Sequence, residues 1–361
     1  MSDGFPLAAR SATLEPPNTA KIPPVGKQIM GSLVITGARG YIGRALAESL
    51  ADQGRTLRLV SRGVVTANCL PARATIEHVR ADLRDEESWE ALLDGADAVV
   101  HLSSRTDLRT AEADPTGDHS LNVDPVRALI RAAERCRTAV QVVFASSTSI
   151  AGHAHINPVS ENTPDCPSSV YDRHKLECET ILARATRSGI VRACSLRLAT
   201  VYGYGDRLDS VNSNRGVLNA MIRRAMHGLP LTLYGGGAYI RDFTHLSDVC
   251  NAFRLALAKP EICDSRHYVV STGRGYTLSE AFRCVAQEAY RATGLKVEIR
   301  HVPEPADLHP IERRDFVGDP TLFQNLTDWR PKFDLKYGVR DYFQRLIARE
   351  SFSQPANKSS V

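Results

Sequence analysis

Ser147, Tyr171 and Lys175 are the residues of this chain whose types and spacing can do chemistry together. In Tyr171-Asp172-Arg173-His174-Lys175 the phenol and the ammonium stand at i and i+4, on one face of a helix. A phenol with a pKa of about 10 is a poor proton partner at neutral pH, and a nearby ammonium lowers that value by stabilising phenolate. The same lysine can hydrogen-bond a nicotinamide ribose. Ser147, twenty-four positions before Tyr171, ends the run Val140-Gln141-Val142-Val143-Phe144-Ala145-Ser146-Ser147 and can hold a substrate oxygen. Such a set moves a proton at an oxygen while a hydride moves at the adjacent carbon, which is oxidoreduction of an alcohol or a carbonyl.

The elements that must position these groups begin at Leu33-Val34-Ile35-Thr36-Gly37-Ala38-Arg39-Gly40-Tyr41-Ile42-Gly43. This reads as a buried strand, a tight turn and a helix. Gly37 and Gly40 let the backbone turn and approach a ligand, and Gly43 lets the helix pack closely on the sheet. The helix's first N–H groups, around Tyr41 and Ile42, then face a pyrophosphate. That helix is expected over Tyr41–Gln53, with Gly54 as its stop, followed by a strand over Thr56–Val60. Where a dinucleotide site expects an acidic residue on the ribose, the chain has Ser61-Arg62-Gly63. Arg62 with Arg39 favours a 2′-phosphate, hence NADP(H), with NAD(H) as the other possibility.

Further alternation follows: strands over Ile76–Val79 and Ala98–Leu102 flank a helix over Asp85–Leu93. Repeated βαβ units imply a doubly wound parallel sheet of Rossmann type. Ligands bind at the carboxyl ends of its strands, which places Asp82, Leu83, Leu102, Ser103 and Ser104 beside the adenine and ribose. His101 reads as a packed strand residue. Asn122 begins a helix with Val126, Leu129, Ile130 and Ala133 on one face, and either caps it or hydrogen-bonds the strand loops near the cofactor.

Composition excludes several classes. The 361 residues can bury a large core, and a net charge of +4 without basic blocks does not imply nucleic-acid binding. Eight cysteines show no metal-like spacing, and no apolar run suggests a signal or a membrane span, so a cytoplasmic location is the expectation. His153 and His155 read as loop histidines, and no metal site is expected. Residues 1–29, rich in proline, read as a disordered arm, and residues 349–361 as a flexible tail.

With these motifs in hand, residues 31–347 resemble the extended short-chain dehydrogenase/reductase family of nucleotide-sugar epimerases, dehydratases and ketoreductases. Ser195-Leu196-Arg197-Leu198-Ala199-Thr200-Val201-Tyr202-Gly203 is similar to the family's LRxxNVYG segment, and Tyr239 to Val249 to its RDFxxVxDV segment. The resemblance implies a Rossmann domain over 30–200, to which strands around 238–270 return, and a mainly substrate-binding domain over 201–348. It implies that Leu198 lies at the cofactor, that Thr148, Ser149 and Thr200 line the substrate, and that Arg241 contacts nucleotide phosphates. A second phosphate-binding arginine is expected at Arg313 or Arg314, with Arg313 taken as the candidate. It also implies a homodimer formed as a four-helix bundle by Asn122–Arg137 and Tyr171–Arg187. Thr148-Ser149 stands where the 4,6-dehydratases carry Asp-Glu, so elimination of water is not expected. The expected activity is NADPH-dependent reduction of a nucleotide-linked keto-sugar in deoxysugar or antibiotic-type biosynthesis. The alternatives are a nucleotide-sugar epimerase with tightly bound NAD, and a reductase of a free aminosugar or aminoglycoside intermediate.

Overall fold

Leu33 and Ile35 point to one side of the first strand and Val34 to the other, and all three are fully buried. A strand apolar on both faces requires a layer of helices on each side, and the rest of the chain supplies them. The computed structural model describes residues 31–63, 74–137, 139–153, 157–205 and 216–353. The proposed arm at 1–29, His155 and residues 354–361 of the proposed tail lie outside the described residues.

In chain order, β1 (Ser32–Thr36) leads to α1 (Tyr41–Leu50), β2 (Thr56–Ser61), β3 (Thr75–Arg80), α2 (Glu86–Leu93) and β4 (Ala96–His101). Then come α3 (Leu108–Ala113), α4 (Pro115–Asn122), α5 (Asp124–Cys136), β5 (Gln141–Ser147), α6 (Val170–Arg187), β6 (Arg192–Leu198) and β7 (Thr200–Tyr202). The remainder comprises α7 (Val217–Met226), β8 (Leu231–Tyr234), β9 (Ile240–His245), α8 (Leu246–Ala258), β10 (His267–Val270) and β11 (Gly275–Thr277). The last elements are α9 (Leu278–Thr293), β12 (Ile299–Val302), α10 (Thr321–Thr327) and α11 (Leu335–Ser353).

Seven strands form one parallel sheet in the order β10-β6-β5-β4-β1-β2-β3. The strand order reverses between β1 and β4, and the carboxyl ends of these two strands therefore form the crevice where such sheets bind ligands. One face is covered by a core that includes Leu46, Leu50, Phe253, Leu257 and Trp329. The other holds Trp89, Leu129, Phe144 and Leu182. A separate core gathers Tyr202, Ile222, Phe243, Phe282, Val285 and Phe343 from α7, α9, α11 and the short strands beside them.

Two expectations change. Asn122 ends α4 rather than beginning a helix, because Asp114 caps Gly117 N–H and Pro115 starts an extra helix ahead of α5. Of the later strands expected to return to the main sheet, β10 does so, whereas β9 pairs with β7 and β11 in a three-stranded sheet.

The glycine turn has little room. A Cβ on Gly43 would stand 2.3 Å from the Gly37 carbonyl oxygen, whereas one on Gly236 would meet nothing within 4 Å. Gly43→Ala should therefore push α1 off the turn at a cost of about 1–3 kcal/mol and weaken dinucleotide binding. Gly236→Ala should leave both unchanged, as measured by urea unfolding and dinucleotide titration.

Candidate active site

The crevice is built outward from Thr36. Its hydroxyl accepts the N–H groups of Leu102 (3.0 Å) and Ser103 (3.1 Å), so its own proton goes to His101 Nδ1 at 3.0 Å. Burial pushes the His101 imidazole down to about 3, which keeps it neutral and able to accept. The Leu102-Ser103 backbone is thereby held against Gly37, whose φ is +64° and where a Cβ would lie 2.9 Å from Ser103 N. Gly40 precedes α1 with no side chain to cap it, leaving the N-terminal N–H groups of that helix available to a phosphate.

The next turn of loop is held by Asn122. Its Oδ1 accepts Arg105 N–H (2.7 Å) and the Ser104 hydroxyl (3.1 Å), while its amide donates to the Arg105 carbonyl (3.1 Å) and to Asp118 Oδ2 (2.9 Å). Of its two possible roles, Asn122 therefore has the loop-binding one. The Tyr41 side chain has a use of its own: its hydroxyl donates to the Gly203 carbonyl at 2.7 Å and accepts from Asn219 at 3.2 Å. The side chain ties α1 to the segment after β7, and Ile42 packs against the core beside it. Any contact of Tyr41 with a cofactor falls to its backbone.

At the end of β2, Arg39 Nη1 would lie 2.1 Å from a Cβ on Gly63, so its guanidinium lies against that turn. The Ser61 hydroxyl donates to the Gly63 carbonyl (2.6 Å), and Arg62 is exposed. Asp82 is gripped by Arg84 through Nε (2.9 Å) and Nη2 (2.5 Å), and these bonds hold its carboxyl down at about 2. Leu83 is buried, and its carbonyl accepts the Trp89 indole N–H at 2.7 Å.

Helix α6 starts where Ser169 accepts Asp172 N–H (3.0 Å) and Glu112 accepts Val170 N–H (2.7 Å). This sets Tyr171 in the first turn and Lys175 one turn later, over β5. Lys175 is buried, donates to the Ala145 carbonyl at 2.8 Å and lies 4.6 Å from the Phe144 ring centroid and 5.7 Å from that of Tyr171. Burial pushes its ammonium down to about 8. Burial also pushes the Tyr171 phenol up, helped by the Asp172 and Asp118 carboxylates. The expected lowering of the phenol by Lys175 is thus outweighed, and the ammonium is turned to a backbone carbonyl. Asp172 itself is fully buried, with neither carboxylate oxygen hydrogen-bonded among the described residues.

Ser147 Oγ lies 2.7 Å from Ser149 Oγ, so these two hydroxyls share a proton contact at the end of β5. Thr148 turns away, donating to the Leu198 carbonyl at 3.2 Å, and Thr200 is half-buried in β7 opposite Phe243. Arg241 is buried and donates to the carbonyls of Ile240, Glu312 and Arg314. Arg313 is exposed and bound to Glu304 (3.0 Å). Arg314 is the one turned inward: its Nη1 is buried without a partner among the described residues, and burial beside Arg241 pushes its guanidinium down to about 10. Of the two arginines expected to offer a phosphate contact, Arg314 is the inward one and Arg313 the exposed one. Arg313 ends a 3-10 turn and Arg314 follows it in extended backbone, so the two face differently, which residue type alone does not reveal. Asp118 and Thr36 were missed, although Asp118 stands four positions before Asn122 on one helix face. His153 is exposed, and no cluster of three or more His, Cys, Asp or Glu that could hold a metal occurs among the described residues. No described helix is long and apolar enough to cross a membrane.

Known proteins are similar to this chain in sequence and fold. A putative UDP-glucose 4-epimerase of Methanocaldococcus jannaschii is 26% identical over 314 residues, spanning 85% of this chain and 96% of that protein. The structure of MoeE5 in complex with UDP-glucose and NAD is 26% identical, with a TM-score of 0.73 over 90% of this chain and 100% of the other. The UDP-glucose 4-epimerase of Thermotoga maritima shares the fold, with a TM-score of 0.77, 23% identity, and coverage of 89% of this chain and 100% of that one. The profile of the NAD dependent epimerase/dehydratase family matches residues 33–271, from β1 to the end of the parallel sheet. The chain belongs to that family, a branch of the extended short-chain dehydrogenase/reductases that its motifs resemble.

Proposed function

We propose that the protein is an epimerase of a nucleotide-linked sugar, working with a nicotinamide dinucleotide that stays bound. The observation that carries this reading is the hydroxyl-only segment after Ser147. Thr148 and Ser149 supply no carboxylate, and their hydroxyls are engaged with Leu198 and Ser147. A site with a phenol, a serine and a lysine but no further acid–base pair can remove and return a hydride, and lacks the groups for elimination. The relatives support the substrate class and the cofactor: the M. jannaschii protein is named for UDP-glucose, and MoeE5 is bound to UDP-glucose and NAD.

The turn at Gly37, the uncapped start of α1 and the loop held by Asn122 fit a dinucleotide, with Lys175 at its ribose. When bound, that group supplies a hydride acceptor that becomes a donor. Tyr171 takes the proton of the reacting sugar hydroxyl and later returns it, and Ser147 holds that oxygen by hydrogen bond. Burial and the two nearby carboxylates raise the phenol, so its phenolate is a strong base for the sugar hydroxyl, and the proton it takes is held for the returning half. The Lys175 ammonium, one turn along α6, stabilises negative charge on the phenol oxygen in the other half. Arg314, and through its backbone contacts Arg241, are the cations placed to meet the sugar's diphosphate. Dimerisation through α5 and α6 remains part of the proposal.

Arg39 and Arg62 favour a second reading, reduction of a keto-sugar by exchangeable NADPH. The dinucleotide released from purified, denatured protein separates the two. The epimerase reading expects stoichiometric NAD, whereas an empty protein that binds NADPH far more tightly than NADH would replace it with the reductase.

Tyr171→Phe should lower turnover at least ~100-fold while leaving dinucleotide content unchanged. Full turnover in this variant would remove Tyr171 from the reaction. Because the Lys175 ammonium loses its proton at about 8, kcat/KM should fall as pH rises through that value. A profile flat from neutrality to well above pH 8 would contradict a role for the charged form.

A further inference from the structure

Asp118 on α4 is a carboxylate that the reaction outlined above does not use. It is completely buried. Its Oδ2 accepts from His174 Nδ1 at 2.7 Å and from the Asn122 amide at 2.9 Å, and Oδ1 has no hydrogen-bond partner among the described residues. A carboxylate withdrawn so fully from water is costly unless its charge is matched nearby. His174 lies inside the Tyr171–Lys175 segment, so the two residues join α4 directly to the helix carrying the phenol and ammonium.

We infer that Asp118, fixed by His174, is a positioning residue of the dinucleotide site: through Asn122 it holds the backbone at 104–105, and it sets a buried negative charge on α4, the helix packed against the one that carries Lys175. The first half rests on a continuous chain of contacts. His174 donates to Asp118, Asp118 accepts from Asn122, and Asn122 makes three bonds to Ser104 and Arg105. The second half rests on the surroundings of Lys175. His101 of β4 faces it, Phe144 of β5 lies under it, and Tyr171, Cys178 and Glu179 share its helix. Cys178 and Glu179 offset part of the effect of burial on the ammonium and Asp118 of α4 adds to them, while burial, Asp172 and then Asp118 raise the Tyr171 phenol. Around His174 itself stand His119 of α4, with ring centroids 5.2 Å apart, and beyond it Glu177 of α6 and Asp124 and Arg127 of α5.

The inference rests on Lys175 being at the dinucleotide, as proposed above, and the test separates the two. Calorimetric titration with NAD, from about pH 6 to about pH 10, is made on the native chain and on Asp118→Asn, His174→Gln, His174→Ala and Lys175→Met, each stripped of dinucleotide. Affinity of the native chain should weaken as pH rises through about 8. In Asp118→Asn the weakening should move to lower pH, because losing a nearby negative charge makes an ammonium easier to deprotonate. His174→Gln, which can still donate to the carboxylate, should keep the native profile. His174→Ala should bind about tenfold more weakly across the range. An Asp118→Asn curve that keeps the native limb, with or without a uniform loss of affinity, overturns the electrostatic role while Lys175→Met is pH-insensitive. A limb that survives in Lys175→Met instead overturns the placement of Lys175. Should Asp118→Asn not fold, native affinity in His174→Ala overturns the inference on its own.

Discussion

The hydroxyl of Thr36 is the contact on which the site's geometry depends. By accepting two consecutive N–H groups from the end of β4 and giving its proton to a neutral His101, it presses the Leu102-Ser103 backbone against the turn after β1. That approach leaves no volume for a Cβ at Gly37, and the turn in turn leaves none at Gly43. The crevice at the strand-order reversal is therefore shaped by one buried side chain and two missing ones. Tyr41 then carries the constraint across to the segment after β7, tying the glycine turn to Gly203 and, through Asn219, to α7.

Electrostatics sets the second layer. Lys175 and Tyr171 are both drawn from water, and burial alone would favour a neutral amine and a neutral phenol. Asp118 works on both, favouring the ammonium together with Cys178 and Glu179 and disfavouring the phenolate together with Asp172. In the proposed reaction, a protonated phenol beside a charged lysine is the state reached once the sugar proton has been taken, ready to hand it back when the hydride returns. Arg241 spends several donors on the backbone of 312–314, which fixes the segment bearing Arg314 rather than leaving two freely moving cations.

Much of this is legible in the sequence because it follows from periodicity and spacing. The strand–turn–helix at 33–43, the βαβ alternation and the i,i+4 phenol and lysine each depend on neighbours along the chain. What was not legible depends on which way a side chain turns. Tyr41 sits inside a cofactor motif, yet its hydroxyl reaches Gly203, far along the chain. Asn122 ends a helix that Asp114 and Pro115 create, a start signal hidden in a polar stretch without apolar periodicity. Arg313 and Arg314 differ only in their facing. The influence of Lys175 on Tyr171 was judged from proximity alone, whereas burial and two carboxylates decide its direction.

The central claim is that hydride removal and return take place within one bound dinucleotide. The most direct measurement is proton NMR of UDP-glucose incubated with purified protein and no added cofactor. The account predicts growth of a second UDP-hexose, inverted at one ring carbon, to a fixed ratio, with no accumulation of reduced nicotinamide. Unchanged UDP-glucose, together with consumption of a nucleotide-linked keto-sugar in step with added NADPH, would contradict it.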